Sequence, residues 1–375
     1  MKGSIGMVAS AIAAMFFVAG SLPAQGAEAP EHTVQPRVEV AFVLDTTGSM
    51  GGLIAGAKEK IWHIANQIVL GKPTPAVSMG LVAYRDKGDE YVTKVFNLTD
   101  NIDQVYADLT SFRAQGGGDT PENVNQALHD AVHKLKWSDD SAVLKIIYLV
   151  GDCPPHNEYQ DVPTYDKTAK AAIEKGININ TILCGNNKDA ESVWKDVAAL
   201  ADGVFLAIAQ DGGVKSIPTP YDKELAELNG KLLDTAVVYG KAGVREKQAE
   251  LNTSAKSLPT AAAAERSSFA ARSGIVARND LVDDMRNAVV KLENLKPDML
   301  PENVRKMTKD EQTEYLAQKQ VERDDLNKQI AEVSKKRNEF VKQQIAEDKT
   351  ARSGFDQQLL DALKVQAAEK HISYE

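Results

Sequence analysis

Val-Ala-Phe-Val-Leu-Asp-Thr-Thr-Gly-Ser, residues 40–49, is the stretch that decides the fold. Five apolar residues end abruptly on Asp45, and hydroxyls follow at Thr47 and Ser49. An unbroken apolar run of this length, bounded by turn residues, reads as a strand buried on both faces of a parallel sheet. Where such a strand stops, a carboxylate and two hydroxyls at every second position can aim their oxygens at a common centre. Oxygen ligands in octahedral array suit Mg²⁺ or Mn²⁺, with Ca²⁺ as a further candidate. Two later segments add oxygen-bearing loops: Gly116-Gly117-Gly118-Asp119-Thr120-Pro121-Glu122, and Leu149-Val150-Gly151 running into Asp152.

Outward from this stretch, strand-like runs at 38–44, 77–84, 143–150, 177–183 and 203–208 alternate with helical patterns. That alternation predicts an α/β, doubly wound, Rossmann-like sheet with ligands at the carboxyl ends of its strands. Ile54, Ala57, Ile61, Ile64 and Ile68 recur every three or four residues and mark the buried face of the first helix. The polar turn 84–91 leads into Tyr91–Phe96, which predicts an antiparallel edge hairpin. Residues 101–113 and 121–136 read as helices flanking the glycine loop.

The three loops, in this order, resemble the metal-ion-dependent adhesion site of the von Willebrand factor A domain, over about residues 36–212. The family pattern, Asp-x-Ser/Thr-x-Ser, then a glycine-rich loop, then Asp after a later strand, is met by Asp45, Thr47 and Ser49 and by Asp152. The family usually places a Thr directly after its glycines, whereas here Gly118 is followed by Asp119 and only then Thr120. Pro121 fits a first helical position, which would leave the Thr120 hydroxyl as the cap of the next helix. Asp119 is therefore favoured over Thr120 as third ligand. The resemblance implies an exposed cation completed by an Asp or Glu from a protein partner.

The chain has 375 residues, room for two domains each with its own core, and a formal net charge of −9 that argues against nucleic acid as a partner. Of its 53 acidic residues 26 precede Tyr221, against 18 of its 44 basic ones, so the negative excess lies with the metal loops. An acidic surface there would concentrate divalent ions, though ordinary solubility accounts for it equally well.

Lys2, an apolar run from Met7 to Leu22, and the small-x-small Ala24-Gln25-Gly26 read as a signal peptide, residues 1–26. Export to a bacterial periplasm or beyond is the expectation, with an uncleaved anchor as the alternative. No later segment approaches the ~20 apolar residues a membrane span needs, so stable insertion after cleavage is not expected. The two cysteines, Cys153 and Cys184, close neighbouring predicted strands and could bridge in an oxidising compartment; two small buried thiols are the other reading.

Other motifs carry less. His129-Asp130-Ala131-Val132-His133 places histidines four apart on one helix face, but has Asp where a zinc protease needs Glu and shows no third ligand. His156 stands near the metal loops, either touching a ligand or packing its own loop. Gly48-Ser49-Met50-Gly51-Gly52 lacks the spacing of a dinucleotide loop.

Gly212-Gly213 and Ile217-Pro-Thr-Pro220 mark a linker. Residues 221–375 then read as an all-α, partly coiled-coil region divided by Pro259, Pro297 and Pro301. Thr308 to Glu311 forms a capping box opening the longest helix, about 308–349. Along it Asp324 with Lys328 and Glu332 with Lys336 are spaced for pairing, and Arg337 interrupts the stripe of Leu326, Ile330, Val333 and Phe340. A helical hairpin or small bundle, packed on itself or on a partner, fits better than a long coiled coil, and a helix-mediated oligomer is open.

Neutral hydroxyl ligands leave a cation seeking one more anionic oxygen. The reading is a metal-dependent protein-binding module of the cell envelope rather than an enzyme, its partner a protein presenting Asp or Glu. A metal-dependent hydrolase is the rival, lacking an evident positioned base. In a third reading the helical tail acts as an oligomerising scaffold and the metal domain is structural.

Overall fold

A computed structural model describes residues 35–118, 120–209, 217–347 and 355–374. Six strands, β1 (Arg37–Asp45), β2 (Ala76–Tyr84), β3 (Thr93–Thr99), β4 (Leu144–Gly151), β5 (Ile177–Cys184) and β6 (Phe205–Ile208), form one sheet in the order β3-β2-β1-β4-β5-β6. All neighbours pair parallel except β2 and β3, the antiparallel edge expected from the polar turn. The strand order reverses outward from β1 and β4, so the crevice between their carboxyl ends lies at the topological switch point.

Helices cover both faces. On one lie α1 (Gly51–Val69) and α2 (Ile102–Ser111); on the other α3 (Val124–His133), α4 (Tyr165–Glu174) and α5 (Lys188–Leu200). The run from Val40 to Leu44 is apolar throughout because it serves both: Val40, Phe42 and Leu44 pack on the α1 side, Ala41 and Val43 on the α3 side. Ile54, Ile61, Ile64 and Ile68 of α1 are buried as their spacing predicts. No span described here is long and apolar enough to be a membrane helix.

The helical region comprises α6 (Asp222–Asp234), α7 (Ala242–Lys256), α8 (Thr260–Ser273), α9 (Leu281–Arg286), α10 (Glu302–Arg305), α11 (Lys309–Glu347) and α12 (Phe355–Ala368). It forms a bundle in which Leu225, Leu228 and Leu232 of α6 meet Ala264 and Ala270 of α8 and Leu326, Ile330 and Val333 of α11. This core is not sealed off from the sheet. Ala262 and Phe269 of α8 join the core beneath α1, and so do Leu359, Leu363 and Ala367 of α12 with Ile372 beyond it.

Buried charges lock the junction. Arg266 of α8 donates to both carboxylate oxygens of Asp103 on α2, at 2.7 and 2.6 Å. Asn66 of α1 donates to Glu265 at 2.7 Å, and Glu265 in turn pairs with Arg337, which also reaches Asp222. Arg337 therefore interrupts the apolar stripe of α11 because it neutralises two buried carboxylates of neighbouring helices, not because the helix faces water there.

The capping box opens α11 as read: the Thr308 N–H donates to Glu311 Oε2 at 2.7 Å and the Glu311 N–H to Thr308 Oγ1 at 3.3 Å. The expected Asp324–Lys328 pair is replaced by Asp324 with Arg286 and Lys328 with Asp325, since α9 brings a guanidinium beside α11. The expected linker glycines and the signal segment lie outside the described residues.

Candidate metal site

Asp45 is the last residue of β1 and fully buried. Its Oδ1 accepts from the Thr47 backbone N–H at 2.8 Å and from the Thr47 hydroxyl at 2.7 Å, and Thr47 Oγ1 lies 3.4 Å from Ser49 Oγ. These contacts gather the three residues read from the sequence, with Ser49 exposed at the mouth. Thr46 between them points elsewhere, donating to the Tyr84 carbonyl at 2.8 Å. Asp45 Oδ2 is buried and accepts from no group. A carboxylate oxygen in that state costs several kcal/mol of desolvation unless a proton or a cation meets it.

The glycine loop is stitched onto this turn. Gly48 N–H donates to the Gly116 carbonyl at 3.1 Å and Gln115 N–H to the Thr46 carbonyl at 3.1 Å. Gly116 and Gly117 both have positive φ, 78° and 72°. A Cβ on Gly116 would fall 2.2 Å from Asp89 Oδ1, and one on Gly117 would fall 3.0 Å from Glu122 Oε1 and 3.1 Å from Thr47 Cβ. Glycine is thus required twice, for conformation and for space. The Gly117 N–H donates to Asp89 Oδ2 at 3.0 Å.

Asp152 is buried just past β4, and Gly151 before it packs so tightly that a Cβ would meet Tyr84 Oη at 2.3 Å and Asp45 Cβ at 3.2 Å. Asp119 lies outside the described residues. Thr120 is exposed and does not cap α3, contrary to expectation. The segment after it stays extended: the Glu122 N–H donates to the Pro154 carbonyl at 3.0 Å and His156 N–H to the Glu122 carbonyl at 3.1 Å. The helix consequently starts at Val124, capped by Asn123, whose side chain accepts from Gln126 N–H at 3.3 Å.

That short ladder turns Glu122 inward, where its Oε2 is buried and accepts from no group. Sequence reasoning quoted Glu122 within its loop and gave it no role. No local signal marks it, since an acidic residue ahead of a helix is favoured by the helix N-terminus alone.

The buried carboxylates raise one another's proton affinity. Burial, reinforced by Asp152 and opposed by the Thr47 bonds and Arg85, pushes Asp45 up to about 7. Burial together with Asp45, Asp86, Asp89 and Asp152 pushes Glu122 up to about 9. Among the described residues no three His, Cys, Asp or Glu side chains converge enough to hold an ion alone. A hard divalent ion at this place would take a mixed donor set, the hydroxyls of Thr47 and Ser49 joining Asp45, with Asp152 and Glu122 supplying charge around them.

Cys153 and Cys184 are free. Cys184 points into the core beneath α1, whereas the Cys153 thiol, held up by burial, meets the Asp152 carboxylate, so of the two readings the unbridged thiols hold. His156 packs its loop: its ring stacks on Tyr159 with centroids 4.3 Å apart and pairs with Asp86 at 3.3 Å and with Glu158.

Residues 39–219 match the von Willebrand factor A domain family, and the chain carries a domain of that family. Von Willebrand factor A domain-containing protein 7 of Rattus norvegicus is 40% identical over 127 residues, 34% of this chain and 13% of the relative. The Homo sapiens protein of the same name is 38% identical over 127 residues, with the same shares. An ariadne-like RING finger protein of Acanthamoeba polyphaga mimivirus is 28% identical over 124 residues, 33% of this chain and 12% of the relative. The chain thus spans only about an eighth of the length of these curated relatives. Among solved structures, the SpRpn10 VWA domain shares 16% identity, covering 47% of this chain and 89% of that one, with a TM-score of 0.36. Proximal thread matrix protein 1 from the mussel byssus, with a zinc occupied MIDAS motif, shares 16% identity over 47% of this chain and 43% of that one, at 0.38.

Proposed function

We propose that this protein is a divalent-cation-dependent protein-binding module without catalytic activity. The observation that carries this reading is the buried, unpartnered Oδ2 of Asp45, facing away from an Oδ1 already organised by Thr47. Asp45, Thr47 and Ser49 would hold Mg²⁺ or Mn²⁺, with Asp152 acting partly through water and Glu122 adding charge. Once bound, the ion supplies Lewis acidity toward an incoming oxygen. Ser49 stands exposed at the mouth, so a carboxylate from an Asp or Glu of a partner protein is the group this opening suits.

The helical region serves as a scaffold fixed to the same module, because its buried Arg266 and Glu265 bond directly to α2 and α1. Residues 1–26, read as a signal peptide, would place the module in the bacterial envelope or outside the cell.

Crosslinking capture from an envelope extract, with and without EDTA, tests this. A partner retained only in the presence of the cation is expected, and its Asp→Asn or Glu→Gln change should cost about as much affinity as Asp45→Ala. The two losses should not add, since both remove one contact. A partner that binds equally well in EDTA overturns the reading.

A further inference from the structure

His129 and His133 lie on α3, at the end remote from Glu122, and the cation reading makes no use of them. Their rings stack with centroids 4.4 Å apart and planes 19° from parallel. His133 is exposed, and its Nδ1 lies 2.9 Å from the His129 carbonyl. A carbonyl can only accept, so Nδ1 carries the hydrogen and the neutral ring keeps its lone pair on Nε2. Anchoring one ring nitrogen on a backbone carbonyl is the arrangement by which proteins orient a metal-ligating histidine.

His129 lacks such an anchor. Its Nδ1 is buried with no hydrogen-bond partner, 3.6 Å from Asp130 Oδ1, while the side chain remains 31% exposed. Asp130 is not a third ligand, being bonded to Thr93, Gln126 and Lys134. Two imidazoles on one helix face, four residues apart, one exposed and one partly so, suit an ion that prefers imidazole and keeps water in its remaining positions.

We propose that His129 and His133 form a second cation site, specific for a divalent transition ion of the Cu²⁺ and Ni²⁺ kind and independent of the oxygen site at Asp45. The two sites sort ions by ligand chemistry: hydroxyls and carboxylates take the hard ion, paired imidazoles the borderline one.

Calorimetric titration of the full chain with Cu²⁺ and then Ni²⁺, in excess Mg²⁺, tests this. Uptake of one equivalent is expected, with Cu²⁺ tighter than Ni²⁺. His129→Ala and His133→Ala should each weaken it by about tenfold or more, since losing a ligand costs at least what losing a second-shell partner does. Asp45→Ala should leave it unchanged. The Cu²⁺ electron paramagnetic resonance spectrum should show nitrogen couplings that disappear in either histidine variant. Because His133 is exposed, its replacement should leave the unfolding midpoint in place, so that weakened binding is not mistaken for misfolding. Absence of Cu²⁺ uptake, uptake unaffected by both histidine replacements, or uptake lost in Asp45→Ala with the histidines intact would each overturn the proposal.

Discussion

Asp103→Ala removes the carboxylate that neutralises Arg266 at the junction between sheet and bundle. The Asp103 side chain is 9% exposed and that of Arg266 2%. Arg266 donates twice to Asp103, once to Asn229 Oδ1 at 2.8 Å and once to the Val276 carbonyl at 2.8 Å. In the variant those two neutral acceptors remain, but the guanidinium, which does not deprotonate in proteins, has lost its countercharge. Breaking a buried pair from one side costs about 3–5 kcal/mol. That is a large share of a total stability of about 5–15 kcal/mol. With a urea slope of about 3 kcal/mol per M or steeper for a chain of this size, the midpoint should fall by roughly 1 M. The Trp62 ring lies 5.9 Å from the guanidinium and makes fluorescence a local reporter. The control is Asp103→Leu with Arg266→Met, which removes both charges but strands two acceptors at about 1–3 kcal/mol each. The double variant should therefore lose less than the sum of the single losses. An Asp103→Ala variant within about 1 kcal/mol of the parent, or strictly additive losses, would refute the reasoning.

Asp45→Ala should abolish Mn²⁺ binding in calorimetry while the circular dichroism of the fold is kept. Asn123→Ala should cost about 1 kcal/mol by loss of the α3 cap, and Thr120→Ala much less, as read by chemical denaturation. Without metal, Asp45 and Glu122 keep their protons to about 7 and 9 in the folded protein, against 3.8 and 4.5 as reference. The unfolded chain ionises first, so the stability these groups contribute is present at low pH and should be lost as pH rises from about 4 through 9; saturating Mg²⁺ should reverse the trend in thermal unfolding. Glu122→Gln should raise the metal-free melting temperature at pH 8 and weaken Mn²⁺ binding.

The sheet was legible because its strands are short apolar runs with local boundaries, and Asp45, Thr47 and Ser49 were legible because adjacency in sequence makes them adjacent in space. Glu122 escaped because its orientation depends on a two-bond ladder to Pro154 and His156, which no local pattern encodes. The same ladder displaced the start of α3 and transferred its cap from Thr120 to Asn123. Arg337 read as a flaw in a heptad, since its partners Asp222 and Glu265 lie 115 and 72 residues away. The free cysteines follow from the same limit, because pairing of strands does not say which way a terminal side chain turns.

The docking of α12 has a consequence for how the molecule is made. Gln366 and Asn180 exchange amide hydrogen bonds at 3.1 and 3.0 Å, and Ser373 meets Lys72 across 301 residues. Leu359, Leu363 and Ile372 complete a core whose other members are translated far earlier. At about 5–20 residues per second, the interval between β6 and Leu359 leaves the part of that core which α12 closes open for roughly 10 s or more. Contacts of such span are also slow to form. A nascent chain stalled in this interval would offer the apolar surface meant for α12 to chaperones, and one cut short before α12 would carry the whole site yet remain prone to aggregate.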